Sequence, residues 1–437
     1  MKNTSLFAAG FSYQFGMPLA EDLTKTLYAL FDEDILNNFV DVLARTSPYG
    51  EDRPVNKDAI NRAFQVVLEH KKKGTKNYEQ VISEVERLTY TSGFSTTSDQ
   101  DSYHLVHSIL YGFIHSILVT YQEITFPLYS LYKAPYENFK DLLSQDNETW
   151  VFTLNHDLFF EFLAIDYDLP LTYGDQSLIS FRKDNRDGFN TFINFSFSQA
   201  DEITIENNKF YKNEYGVNLV KLHGGLNELS YKNKKLFCNL SLDVKSSEEL
   251  FENFKNMMSM KYYFPNNEVG RASKEWLITN MDGDFDIASK SMLTGGNKYQ
   301  PTLSNKNGEQ KLSLFSDVLK DTDLLTIVGY GFGDKHINNR IIQALFQNDN
   351  LKVKLVSPDQ KCPECLEPFD ENSRIKRILS DVANWLYYEK HQTWSKELHQ
   401  SKYVETNRKF RELIHEAILR KFSIKQSSDR VYPKVTI

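Results

Sequence analysis

Only three cysteines occur in 437 residues, Cys238, Cys362 and Cys365. So small and odd a number in a long chain excludes a disulfide scaffold. Positive charge is also scarce: 51 Lys and Arg stand against 59 Asp and Glu, for a net charge of −8 and a pI ≈ 5.8. No domain-wide basic surface follows, so direct nucleic-acid binding is not expected. The short basic clusters Lys71-Lys72-Lys73 and 232–235 read as solvated helix face or loop. Long apolar runs are missing too. Each is broken before the roughly 20 residues a membrane span needs, so no membrane segment is expected. Met1-Lys2 leads through polar residues straight into the first apolar run, unlike a secretory leader, and a cytoplasmic location is the expectation. There is no internal repeat and no low-complexity block.

At about 100–200 residues per domain, a chain of this length accommodates two or three structural units. A hydrophobic fraction of 41% and an aromatic fraction of 14%, mostly 31 Phe and 24 Tyr, supply a substantial core. The apolar run 5–9 reads as a strand. Gly10, Ser12, Gly16 and Pro18 then punctuate a loop, and Leu19, Leu23, Leu27 and Leu30 follow at helical spacing. Strand, small-residue loop and helix turn backbone N–H groups toward an anion. Ala8, Ala9 and Gly10 would admit a pyrophosphate close to the main chain. A plain turn after the first strand of any α/β domain has the same look.

Residues 26–148 read as a helical insertion, with helices over 57–90, 103–121 and 134–143, a break near 47–48 and loops at 52–54, 71–76 and 92–101. A strand over 149–153 ends at Asn155 and Asp157, and a helix over 158–165 follows. Residues 172–215 read as loops and short strands; a strand over 218–222 ends at His223-Gly224-Gly225. Residues 226–312 read as an irregular insertion holding a helix over 246–260 and a loop at 294–299. The strand 324–328 ends at Gly329-Tyr330-Gly331-Phe332-Gly333-Asp334, with a helix over 336–346; the strand 351–356 ends at Ser357-Pro358-Asp359. Helices over 374–386 and 407–422 make 361–437 a helical C-terminal extension, closing in a polar tail over 426–437.

Five strands thus end in small or polar residues: Gly10/Ser12, Asn155/Asp157, His223, Gly329/Gly331 and Ser357/Asp359. Recurrence at five strand ends predicts an α/β fold with a doubly wound parallel sheet, because ligands bind there at the carboxyl ends of the strands.

These residues resemble the sirtuin family. Ala8-Ala9-Gly10-Phe11-Ser12 with Gly16-Met17-Pro18 is similar to the family's cofactor loop, Thr153-Leu154-Asn155-His156-Asp157 to its T-Q-N-x-D, and Leu222-His223-Gly224 to its catalytic L-H-G. Residues 329–334 resemble the strand-end motif of a bacterial sirtuin-like branch. The resemblance implies a Rossmann-like NAD-binding domain of sirtuin type over 1–25 and 149–360, with NAD+ as substrate. Ala8 replaces a family glycine and Leu154 a glutamine. Family deacylases carry a four-cysteine zinc module after the catalytic His; here only Cys238 lies near that region, so no zinc and no metal site is expected. Cys362 and Cys365 have no second pair and read as a turn with two thiols, with a weak or subunit-bridging metal site as the alternative.

The missing module and the helical insertion point to bacterial sirtuin-like NAD hydrolases of antiphage defence. The resemblance then implies hydrolysis of NAD+ to ADP-ribose and nicotinamide in abortive infection. It implies a homo-oligomer and a separate sensor or ATPase partner, a HerA-type translocase or an Argonaute-type protein, since no long sensor domain is present. Asn155 would orient water and a ribose hydroxyl, and His223 would take a proton from, or hydrogen-bond to, a ribose hydroxyl. Asp157 would hold the nicotinamide amide or fix the loop. Gly10, Phe11 and Ser12 would take the pyrophosphate and cover the ribose, with Ala9 and Pro18 beside them; Gly329, Gly331 and Ser357 would line the adenosine side. Other roles stay open: Asn155 or Asp334 as a helix cap, His223 as a turn residue, residues 329–333 as a plain turn. His156 reads as structural. An NAD or ADP-ribose sensor without turnover and an NAD-dependent protein deacylase are the alternative functions.

Overall fold

Leu6 and Phe7 are neighbours and both are 0% exposed, yet they belong to two separate apolar cores. Successive side chains of a strand leave on opposite faces, so this strand is covered on both sides, as a parallel sheet requires. Val151 and Phe152, Leu219 and Val220, and Ile327 and Val328 divide between the same two cores.

The computed structural model describes residues 2–31, 33–45, 55–91, 97–186, 188, 191–265, 274–292, 309–358, 361–371, 373–398 and 401–428. The chain begins with β1 (Asn3–Phe7), α1 (Ala9–Ser12), α2 (Ala20–Leu30), α3 (Glu33–Arg45), α4 (Lys57–Lys73), α5 (Tyr78–Thr91) and α6 (Thr97–Tyr132). A 3-10 segment, Ala134–Leu142, leads to β2 (Glu148–Thr153), α7 (Phe159–Asp166), β3 (Leu171–Thr172), β4 (Ser177–Arg182), β5 (Phe192–Gln199) and β6 (Gly216–Lys221). Then come β7 (Glu228–Tyr231), β8 (Leu236–Leu240), α8 (Ser247–Met258), β9 (Glu275–Thr279) and β10 (Phe285–Lys290). The last part holds α9 (Glu309–Lys320), β11 (Leu324–Val328), α10 (Lys335–Gln347), β12 (Lys352–Ser357), α11 (Glu367–Asp370), β13 (Ile375–Leu379), α12 (Val382–His391) and α13 (Ser401–Ser428).

Among the described residues, seven strands form a parallel sheet in the order β13-β12-β11-β1-β2-β6-β3. This is the expected doubly wound α/β sheet. The chain leaves β1 toward β2 and later returns to its other side at β11, so the topological switch point, where such sheets bind ligands, lies between β1 and β11. The helices α2 to α6 cover one face, and α9 and α10 the other. The 36-residue α6 is buried on most of its circumference beyond its first turn and runs through the helical core.

Several elements differ from the sequence expectation. Residues 172–215 hold short strands as expected, but 226–312 are not irregular where described: β4, β5 and β7 to β10 close into a barrel in the order β10-β7-β8-β5-β4-β9. Phe181, Phe195 and Tyr231 pack together inside this region, with ring centroids 5.0 and 5.5 Å apart. The stretch 374–386 is not one helix. It begins with β13, an edge strand of the main sheet, so the region 361–437 is not wholly helical. Residues 97–101 open α6 rather than a loop, and 134–142 is 3-10 rather than α. The breaks at 47–48 and 52–54, the loop 294–299, Asp359 and the tail beyond 428 lie outside the described residues. Among the described residues, no helix is long and apolar enough to cross a membrane.

Candidate functional site

Gly10 and Gly329 meet at the switch point. Gly10 N–H donates to the Gly329 carbonyl at 3.0 Å. A Cβ on Gly10 would lie 2.5 Å from the Gly329 Cα, and Gly329 holds φ +65°, a region that L side chains seldom enter. The two strand ends therefore approach as closely as backbone allows.

Asn155 follows β2. Its Nδ2 donates to the Ala8 carbonyl and to Ser12 Oγ, both at 3.0 Å. The carbonyl fixes which side of the amide is nitrogen, leaving Oδ1 as the acceptor available to a ligand. The Ser12 hydroxyl, fully buried, in turn donates to Asp157. Asp157 also accepts from Phe159 N–H at 3.1 Å, so it, rather than Asn155, secures the start of α7. Burial pushes the Asp157 carboxyl up from the ordinary carboxylate range, with Lys221 and Ser12 pulling against it.

Beneath this turn is a buried ionic network. Lys221 Nζ stands 2.7 Å from Glu161 Oε1, both side chains 1% exposed, and donates to Asn227 Oδ1 at 2.9 Å. Glu161 also accepts from Tyr173 OH at 3.0 Å. Lys221 ends β6, and its Nζ also donates to the Asp157 carbonyl at 2.5 Å. The network thus locks the Asn155 turn to the strand that delivers His223.

His223 is 3% exposed and its Nε2 lies 3.4 Å from that of His336 in α10. The turn after it needs glycine: Gly224 has φ +69°, and a Cβ there would stand 2.3 Å from the Ser291 carbonyl oxygen.

A cavity of about 340 Å³ opens over these groups, within the roughly 300–1,000 Å³ common for ligand sites. Of the expected residues, Ala9, Pro18, Asn155, Asp157, His223, Gly329 and Gly331 line it. Gly10 and Ser12 support its wall from behind. Phe11 does not face it: its ring stacks on Phe7 at 4.3 Å and meets Tyr136 edge-on, because an aromatic side chain gains more from the core than from a polar cleft. Ser357 lines a neighbouring cavity of about 490 Å³, and Tyr330, Gly331 and Gly333 form the wall shared by the two.

His156, expected to be structural, lines the cavity, with Nδ1 3.1 Å from the Gly224 carbonyl oxygen. Asn77, Tyr78 and Glu79, at the start of α5, also line it, so the helical insertion is part of the wall. The strand-end pattern carried no signal for these residues.

No protein-family model matches the chain, and no curated protein does. Similar solved structures include a Sir2 homologue with a His-to-Asn substitution bound to ADP-ribose, at 10% identity and a TM-score of 0.32, covering 89% of this chain and 91% of that one. A Sir2 complex with an inhibitor, 2′-O-acetyl-ADP-ribose and a deacetylated peptide has 9% identity and a TM-score of 0.31, covering 90% and 93%. A sirtuin described for its substrate affinity has 10% identity and a TM-score of 0.33, covering 90% and 93%. Likeness at this level assigns nothing to individual residues.

Proposed function

We propose that this chain is a NAD+ glycohydrolase of sirtuin-like fold, cleaving NAD+ to ADP-ribose and nicotinamide. One observation carries the reading: residues from the segments that follow four strands, β1, β2, β6 and β11, surround one cavity at the switch point. The surroundings fit a dinucleotide. Gly329 and Gly331 leave bare backbone on the cavity wall, which lets a diphosphate approach the main chain. The second cavity extends the site past Gly331 to Ser357, on the adenosine side.

The reaction breaks the bond between nicotinamide and ribose C1′, adds water at C1′ and releases one proton. Nicotinamide leaves as a neutral molecule, so the protein's work is to place the water and manage its proton. Asn155 Oδ1 is the acceptor that orients water or a ribose hydroxyl. His223 takes the proton, directly or through a ribose hydroxyl. Asp157 acts on Asn155 through Ser12 and so positions rather than reacts.

The cellular reading rests on the sequence resemblance: a cytoplasmic abortive-infection effector of bacterial antiphage defence. It would be homo-oligomeric and work beside a separate HerA-type or Argonaute-type partner. The test is NAD+ level in phage-challenged cells expressing the chain with its genomic neighbour, wild type beside Asn155→Ala and His223→Ala. NAD+ should collapse only with the wild type. Protection with steady NAD+ would replace hydrolysis by ligand sensing. O-acyl-ADP-ribose among the products would instead mean deacylation.

A further inference from the structure

His223 meets the cavity in company. The ligand atoms of His223, Asp334 and His336 all lie within 4.8 Å of one another. The two imidazoles approach through their Nε2 atoms at 3.4 Å, with the rings inclined by 49°. A tetrahedral ion with metal–nitrogen bonds near 2.0–2.1 Å spaces two ligand nitrogens about 3.3 Å apart. The separation in the structure is therefore the bite such an ion requires. Asp334 occupies the N-cap position of α10, where its carboxylate makes no cap hydrogen bond. The three groups come from the end of β6 and the start of α10, elements held by the sheet and its covering layer, which preorganises them.

Two imidazoles and one carboxylate, with a position left open, are a donor set for zinc and similar borderline ions. Magnesium prefers oxygen ligands in an octahedron and is a poor match. No sulfur takes part, so this set is unrelated to a four-cysteine module; Cys238 is buried in the barrel strand β8. We propose that His223, Asp334 and His336 bind one zinc-class divalent cation, and that its binding silences the cavity by occupying His223 Nε2. A metal-bound nitrogen can accept neither a proton nor a hydrogen bond. The silencing rests on the role given to His223 above; the binding does not.

The test combines equilibrium dialysis against Zn2+ with NAD+ turnover followed by nicotinamide release. It uses the full chain as wild type, His336→Ala and Asp334→Asn, each checked for native fold by circular dichroism. Wild type should take up about one zinc, and both variants should bind it roughly tenfold or more weakly. Zinc should suppress wild-type turnover by roughly tenfold or more, a chelator should restore it, and His336→Ala should turn over NAD+ insensitively to zinc. Equal uptake by all three proteins overturns the metal site. Uptake that depends on these residues, with wild-type turnover unaffected by saturating zinc, overturns the silencing. Site-dependent uptake by a chain that cleaves no NAD+, with chelator or without, upholds the metal site and overturns the hydrolase reading instead.

Discussion

Asn155 Nδ2 lies 3.0 Å from Ser12 Oγ, tying the end of the second sheet strand to the first loop across 143 residues of sequence. Ser12 passes the constraint on to Asp157. Asn155→Ala is expected to lower NAD+ cleavage by about 100-fold or more, and Ser12→Ala by about 10-fold to 100-fold through misplacement of the amide. Because both act through one group, the double variant should be little worse than Asn155→Ala alone. Initial rates in a double-mutant cycle check this, and additive losses would sink the coupling.

Gly329→Ala should damage fold and site together. It forces an L side chain into φ +65° with its Cβ 2.4 Å from the Gly10 Cα. The expected cost is about 2–4 kcal/mol from strain and overpacking, with weakened ADP-ribose binding. Gly331→Ala is the matched control: nothing lies within 4 Å of its added Cβ, and stability should move by no more than about 0.5 kcal/mol. Urea titration distinguishes the two; equal stability losses would contradict the close-approach account.

Glu161→Ala leaves the Lys221 ammonium buried without its carboxylate, which should cost about 3–5 kcal/mol. Replacing the pair together, Glu161→Gln with Lys221→Met, should recover part of that loss, since no uncompensated charge remains. Chemical denaturation of the three variants measures it, and a double variant less stable than Glu161→Ala would count against the account.

Lys290 sets a pH dependence. Burial brings its ammonium down to about 8 in the folded protein. The unfolded chain keeps the ordinary lysine value, so between the two values it binds more protons than the folded one, and stability from this group rises with pH. Below about 8 the buried charge is a constant cost. Lys290→Met should therefore stabilise the protein at pH 7, and its advantage should shrink toward pH 10. Thermal midpoints of both proteins across this range test the sign; an advantage independent of pH would refute it.

The differences between sequence pattern and fold have physical causes. In β13 only Ile375 and Ile378 are buried, spaced as on one face of a helix, because an edge strand is covered unevenly. Phe11 holds the position of the cofactor-loop motif, while its side chain has a better partner in Phe7. The barrel strands alternate imperfectly: β5 runs exposed and buried by turns only over its first four residues, and β7 and β8 are buried throughout. Such strands give no period by which to recognise them.

By itself the sequence determined the parallel sheet and the small and polar residues at its strand ends. Apolar runs closed by Gly10, Asn155, His223 and Gly329 are local patterns, and local patterns are set by the backbone's own periods. Tertiary structure alone decided that β4, β5 and β7 to β10 close a barrel, that Tyr78 of the helical insertion walls the cavity, and that His336 faces His223 from 113 residues away. Those contacts depend on which distant segments pair and pack, and neither pairing nor packing leaves a period in the chain.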